Sequence, residues 1–176
     1  MAIDLCKLMQ QSLFFLEKYY NNQWESSQKE CGGKVFSANK FFIQTTNWAD
    51  AHKECEIEGG FLAEPKTKEL SDLLVSKLLA SLELRMTRLS PQASIAFVEG
   101  DLSSASAWWI GLTDWSHEDT WVWEHSVEEA TITSWASGAP NTGSNSDDCV
   151  MMAREDDFLW RDTHCLDTMA SIICQK

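Results

Sequence analysis

Apolar residues recur at helical spacing near the start of the chain. Leu5, Leu8, Met9, Leu13, Leu16 and Tyr19 or Tyr20 mark one face of a helix over residues 3–20. That helix either docks on the body of the protein or serves as an oligomerising neck, homo- or heteromeric. A polar linker follows from Asn21 to Glu30, so residues 1–30 read as an extension and 31–176 as one domain. Val35, Phe36, Phe41, Phe42 and Ile43 predict two short strands around Ser37–Lys40. Asn47 caps a helix running to about Ile57, with Trp48, Ala51 and Cys55 on its inner face and Gly59-Gly60 as its stop. A second helix begins near Thr67 with an apolar stripe of Leu70, Leu73, Leu74 and Leu78. Over residues 83–106 the pattern lapses into an exposed excursion containing Ser90-Pro91 and Gly100. From Trp108 onward, short apolar runs at 108–112, 121–123, 149–153, 158–160 and 170–174 alternate with turn-rich stretches and predict antiparallel strands. Two helices followed by a run of strands is an α+β order.

Composition narrows the class. At 176 residues and 44% apolar, the chain is long enough for one well-buried core. Its tryptophans crowd between Trp108 and Trp160, and rings of ~150–250 Å² placed so densely are chiefly core. A formal charge of −13 argues against nucleic acid, whose phosphates need a basic footprint. No apolar run is long enough to span a membrane. The N-terminus does not read as a signal peptide, because Asp4, Lys7 and Glu17 flank only the short patch Leu13–Leu16.

Six cysteines stand at 6, 31, 55, 149, 165 and 174. They include no Cys-x-x-Cys and no Cys/His cluster at zinc spacing, which favours structural disulfides and an oxidising, extracellular compartment. His52, His117, His125 and His164 are scattered and suit surface or capping roles. No nucleophile–base pair or phosphate loop is apparent, so a binding protein is expected rather than an enzyme. There is no Asn-x-Ser/Thr sequon.

Several features occur in a particular order. Cys55 lies on the first helix, Trp109-Ile110-Gly111-Leu112 on a mid-chain strand, and Ala139-Pro140-Asn141 after Trp135. Cys149-Val150 closes the ensuing loop, Trp160-Arg161-Asp162 precedes Cys165, and Cys174 comes near the end. In this order and spacing, residues 33–176 resemble the C-type lectin-like domain family. The resemblance implies two helices, antiparallel sheets and a long loop region, braced by disulfides Cys55–Cys174 and Cys149–Cys165. Cys6 and Cys31 remain, to pair with each other or across chains. The family's long form has an extra hairpin disulfide whose second half, expected near Lys40-Phe41, is missing.

In sugar-binding members of that family, a calcium ion held by the long loop and the following strand shares its ligands with sugar hydroxyls. Ca²⁺ takes about six to eight oxygens, so two hydroxyls can complete its shell. The resemblance places Asn141, Asp147 and Asp162 at ligand positions of this primary site. Ala139, however, has no oxygen where the family has Glu or Gln, and Arg161 brings a cation where an amide is expected. Asp147 is one carbon shorter than the usual Glu. The primary site therefore reads as degraded, and Ala139 removes the residue that reports sugar identity. An auxiliary calcium site is implied at Asp114, Glu118, Asp147 and Asp148, with Thr142 replacing a further acid. Arg161 could instead anchor a carboxylate or sulfate through paired hydrogen bonds, or form a salt bridge with Asp147 or Asp162.

The expectation is a secreted lectin recognising glycans through residues 138–148. The alternative is a calcium-independent module that binds a protein or an apolar small molecule, using a Trp-rich surface, the N-terminal helix and the 83–106 excursion.

Overall fold

The computed structural model describes residues 39–87, 105–141 and 146–176. The helix and neck expected over 3–20, the 21–30 linker, Cys6, Cys31, Val35-Phe36, Thr142 and the bulk of the 83–106 excursion lie outside the described residues.

Strand β1 (Asn39–Thr46) leads to helix α1 (Trp48–Ile57), short strand β2 (Phe61–Leu62) and helix α2 (Lys68–Thr87). Strands β3 (Ala107–Thr113), β4 (Val122–Trp123), β5 (Glu128–Glu129) and β6 (Cys149–Ala153) follow. A short 3-10 turn (Arg154–Asp156) joins β6 to β7 (Leu159–Thr163), and β8 (Ala170–Gln175) ends the sheet. The order is β1-β8-β3-β4-β5, with β2 also on β8 and β6 bridging β3 to β7.

The helices start for local reasons. The Asn47 side chain accepts the Asp50 N–H at 2.9 Å, capping α1, and Gly59 at φ +73° follows its end. Ala51 and Cys55 are buried on the inner face of α1. Thr67 Oγ1 accepts the Leu70 N–H at the start of α2, whose Leu74 and Leu78 are buried.

Strand β3 organises the interior. Its side chains alternate between faces, and both faces are covered. Trp108, Ile110 and Leu112 join Trp123, Val150, Met152 and Trp160 in one core, and Trp109 joins Ala51, Cys55, Ile172 and Cys174 in the other. Two indoles find backbone acceptors: buried Trp109 Nε1 donates to the Thr46 carbonyl at 2.8 Å and half-buried Trp48 Nε1 to that of Ile110 at 3.0 Å, whereas the buried Trp160 Nε1 has no acceptor among the described residues. Disulfides Cys55–Cys174 and Cys149–Cys165 link positions 119 and 16 residues apart. In the chain-entropy model they are worth about 5 and 3 kcal/mol.

Four details differ from the sequence expectation. Asn39 and Lys40 lie within β1 and not in a turn, because they pair with Gln175 and Cys174 of β8. Helix α2 continues to Thr87, past the point where the apolar stripe lapses; Leu, Glu, Arg and Met are strong helix formers and extend it without that stripe. The sheet is mixed, since β3 runs parallel to β8 at Trp108↔Ser171 and Trp109↔Ile172. The fourth difference touches only the Trp-rich surface of the alternative reading, since the tryptophans are chiefly core as expected. Trp108, Trp109, Trp123 and Trp160 are at most 1% exposed, packed by hydrophobic burial, whereas Trp115 is 62% exposed.

A buried acid escaped the sequence reading. Glu64 is 2% exposed; its Oε1 accepts the N–H groups of His125 (2.8 Å) and Ser126 (3.1 Å), and Lys66 Nζ lies 3.3 Å from Oε2. This fixes the turn between β4 and β5, and through β4 the position of Trp123.

Gly111 shows how closely the layers approach. A Cβ there would lie 2.9 Å from the Leu62 carbonyl oxygen and 3.3 Å from Leu62 Cβ. Gly111→Ala is expected to cost about 1–3 kcal/mol through overpacking. Denaturant unfolding measures it, and an unchanged midpoint would show that β2 can retreat freely.

Candidate functional site

The start of the loop after β5 is tied to β7 through Trp160. Trp160 donates its backbone N–H to the Ser134 carbonyl at 2.7 Å and accepts the Ala136 N–H at 2.8 Å. Edge-to-face contacts continue the attachment, with Trp135 on Trp160 at 5.8 Å, Trp121 on Trp135 at 4.8 Å and Trp123 on Trp160 at 5.7 Å. Such pairs each add about 0.5–1.5 kcal/mol beyond burial. The chain then passes Gly138 at φ +84° and a cis Ala139–Pro140 peptide, arriving at Asn141 beside β7.

Here the residues expected at the primary site meet. The Asn141 backbone N–H donates to Asp162 Oδ2, and its side-chain Nδ2 donates to Asp147 Oδ2 at 3.2 Å. Asp162 is 8% exposed, whereas Asn141 is exposed at the rim and Asp147 half-buried. These polar groups thus engage one another as a brace between loop and strand. Ala139 contributes no side-chain oxygen to it.

Arg161 lies elsewhere. Alternation along β7 sends it to the face opposite Asp162, where Nε and Nη2 each donate to Asp156 at 2.8 Å. The salt bridge expected with Asp147 or Asp162 is thereby replaced by a bidentate pair with Asp156, an acid of the 3-10 turn. Proximity along the chain decides this, because Asp156 lies at the end of the same hairpin. Arg161 therefore directs its hydrogen bonds away from the Asn141–Asp162 rim, although Asp162 still adds to the charges acting on it.

A second acidic group surrounds the end of β3. The Asp114 N–H donates to the Asp148 carbonyl at 3.2 Å, bringing the turn after β3 against the acidic end of the loop. Asp114 is 4% exposed. Its Oδ2 accepts the Asp119 N–H at 3.0 Å, while Oδ1 is buried with no hydrogen-bond partner among the described residues. Burial, with the charges of Glu118 and Asp148, pushes the Asp114 carboxyl up to about 6. Glu118 is also raised, by partial loss of water and by the charges of Asp119, Asp148, Asp147 and Asp162. Of the four acids expected at the auxiliary site, Asp114 feels the charges of Glu118 and Asp148, and Glu118 those of Asp147 and Asp148, but among the described residues no three His, Cys, Asp or Glu side chains close into a ready-made metal cage. Like charges repel when no cation lies between them. The orphaned oxygen of Asp114 and the acidic donor set fit a hard cation, which takes carboxylate oxygens.

The histidines have structural roles. His52 stacks on Trp48 and places Nε2 2.8 Å from Glu124 Oε2, linking α1 to the turn after β4, and His125 stacks on Phe61. Asp119 and Asp156 were missed as partners of site residues. Their only sequence signal is that Asp favours turns and tolerates the left-handed region.

The raised Asp114 carboxyl sets a pH dependence for the cation-free protein. Between about pH 4 and 6 the folded state holds a proton that the unfolded state has released, so stability falls as pH rises and stays reduced above 6. The loss is at most about 3 kcal/mol at ~1.4 kcal/mol per pH unit of displacement. In chelator, Asp114→Asn should remove this part of the pH profile and melt higher at pH 7. A variant with the unsubstituted profile would show that another group is responsible.

Comparison with known proteins agrees with this architecture. The Lectin C-type domain profile matches residues 44–176. A perlucin-like protein of Mytilus galloprovincialis is 23% identical, covering 81% of this chain and 80% of its own length. C-type lectin 37Db of Drosophila melanogaster is 28% identical over 76% of this chain and 73% of its own. Among solved structures, herring type II antifreeze protein superposes with a TM-score of 0.60 at 25% identity, covering 83% of this chain and 98% of that one. Among the described residues, no helix is long and apolar enough to cross a membrane.

Proposed function

Since the chain belongs to the C-type lectin domain family, we propose that it is an extracellular glycan-binding domain whose ligand meets the rim of loop 138–148 and β7. The observation carrying this reading is the junction of Asn141 with Asp162 and Asp147, which gathers polar groups where the family holds its ligand. Two disulfides suit an oxidising compartment.

In this reading the primary calcium site is degraded. Ala139 offers no oxygen and Arg161 faces Asp156, which leaves three side chains for an ion that needs about six to eight oxygens. Sugar hydroxyls would then bond directly to Asn141, Asp147 and Asp162. An ion at the auxiliary position would be held by Asp114, Glu118, Asp147 and Asp148, supplying positive charge that offsets their repulsion and orders the loop. The orphaned Asp114 Oδ1 supports this assignment.

Calcium at about 100 times its dissociation constant should stabilise the chain by about 2.7 kcal/mol over chelator. Asp114→Asn should abolish that increment, read by thermal melting; no increment in the unsubstituted chain would sink the calcium assignment. On a glycan array with calcium present, Asn141→Ala should weaken binding roughly tenfold, the loss expected of one or two polar contacts. Arg161→Ala should leave it unchanged. A stable complex with a protein partner and no signal on any glycan would replace the lectin reading with that of a protein-binding module.

A further inference from the structure

The turn joining β3 to β4 contains a device that the ligand assignment does not use. His117 donates its N–H to the Asp114 carbonyl and Thr120 to that of His117, both at 2.9 Å. Between them, Asp119 adopts φ +63°. That left-handed conformation strains most side chains, whereas Asp and Asn tolerate it better. With Thr120 held by the His117 carbonyl on its far side, this conformation lets the Asp119 N–H face Asp114, where it donates to Oδ2 at 3.0 Å. The other oxygen, Oδ1, is buried and unpartnered, and the charges of Glu118 and Asp148 act on the same carboxyl.

We propose that Asp119 is a positioning residue for the auxiliary cation: its left-handed backbone pins one oxygen of Asp114 and so leaves the other to the ion. This rests on the calcium assignment above. The role belongs to the backbone of Asp119 and not to its exposed carboxylate. A carboxylate bound by a single N–H cannot rotate without breaking that bond, so the orientation of Oδ1 is set before an ion arrives. Partners of this kind around metal ligands change affinity without touching the metal.

The test is calorimetric titration of CaCl₂ into the full chain, stripped of metal with chelator, for four variants. Asp119→Gly and Asp119→Asn keep the left-handed backbone and both remove the carboxylate; their dissociation constants should stay within about threefold of the unsubstituted value, since only a rim charge is lost. Asp119→Val disfavours that backbone and should weaken binding about 10–100-fold, the range for lost partners of metal ligands. Asp119→Ala, with a milder backbone penalty, serves if the valine variant does not fold. Melting in chelator separates the positioning role from a merely structural one, which would lower the melting point in Val or Ala while leaving the calcium constant alone. Equal calcium affinity in Val or Ala and Gly overturns the proposal. Equal weakening of Gly, Asn and Val overturns it too, by making the carboxylate a ligand. Absence of binding by the unsubstituted chain instead overturns the calcium assignment, and the positioning role with it.

Discussion

The structure depends on the C-terminal strand β8 being gripped from several directions at once. It pairs antiparallel with β1 and β2 and parallel with β3, and its Cys174 is bonded to Cys55 of α1. Strands β1, β2 and β3 and helix α1 are all joined directly to that one strand. Ile172, Ile173 and Cys174 are fully buried because the neighbours on both faces require it. The parallel contact with β3 has a further consequence. It makes β3 an interior strand, so that Ala107–Leu112 is buried along its entire length and bears large indoles on both faces.

From this frame the ligand loop is suspended by few attachments. Trp160 engages Ser134 and Ala136 through its backbone, and its ring is packed by Trp123 and Trp135. Cys149–Cys165 closes the other end. Between these anchors, Asn141 is joined to the buried carboxylate of Asp162 and to Asp147. On the proposed lectin reading, the acids that brace the loop would also face its ligand, which couples the shape of the rim to whatever occupies it.

Electrostatics gives the acidic end its character. Asp114 is removed from water with one oxygen unsatisfied while Glu118 and Asp148 act on the same carboxyl. A buried acceptor without a partner costs about 1–3 kcal/mol. This is a local instability at the edge of the core, on the proposed reading the place where a cation would relieve it. Arg161, the nearest arginine in sequence to Asp162, does not relieve it, because its strand faces it toward Asp156.

Much of the domain was legible in the sequence. Asn47 and Gly59 announced the ends of α1, the apolar runs after Trp108 announced strands, and the spacing of Cys55, Trp109, Pro140, Trp160 and Cys174 announced the family. These signals are local or ordered along the chain, so one dimension suffices to read them. The entry of Asn39 and Lys40 into β1 and the parallel pairing of β3 with β8 were not legible, because backbone pairing depends on strands distant in sequence; the length of α2 rests instead on local helix formers that carry no apolar stripe. Nor was the burial of Glu64, whose stabilising N–H groups come from residues 125 and 126. The sequence by itself determined which side chains could serve the loop and which, at Ala139, could not. Only the tertiary structure decided that Arg161 faces away and that one oxygen of Asp114 is left unpartnered, because both follow from which backbone group or side chain lies within hydrogen-bonding reach after folding.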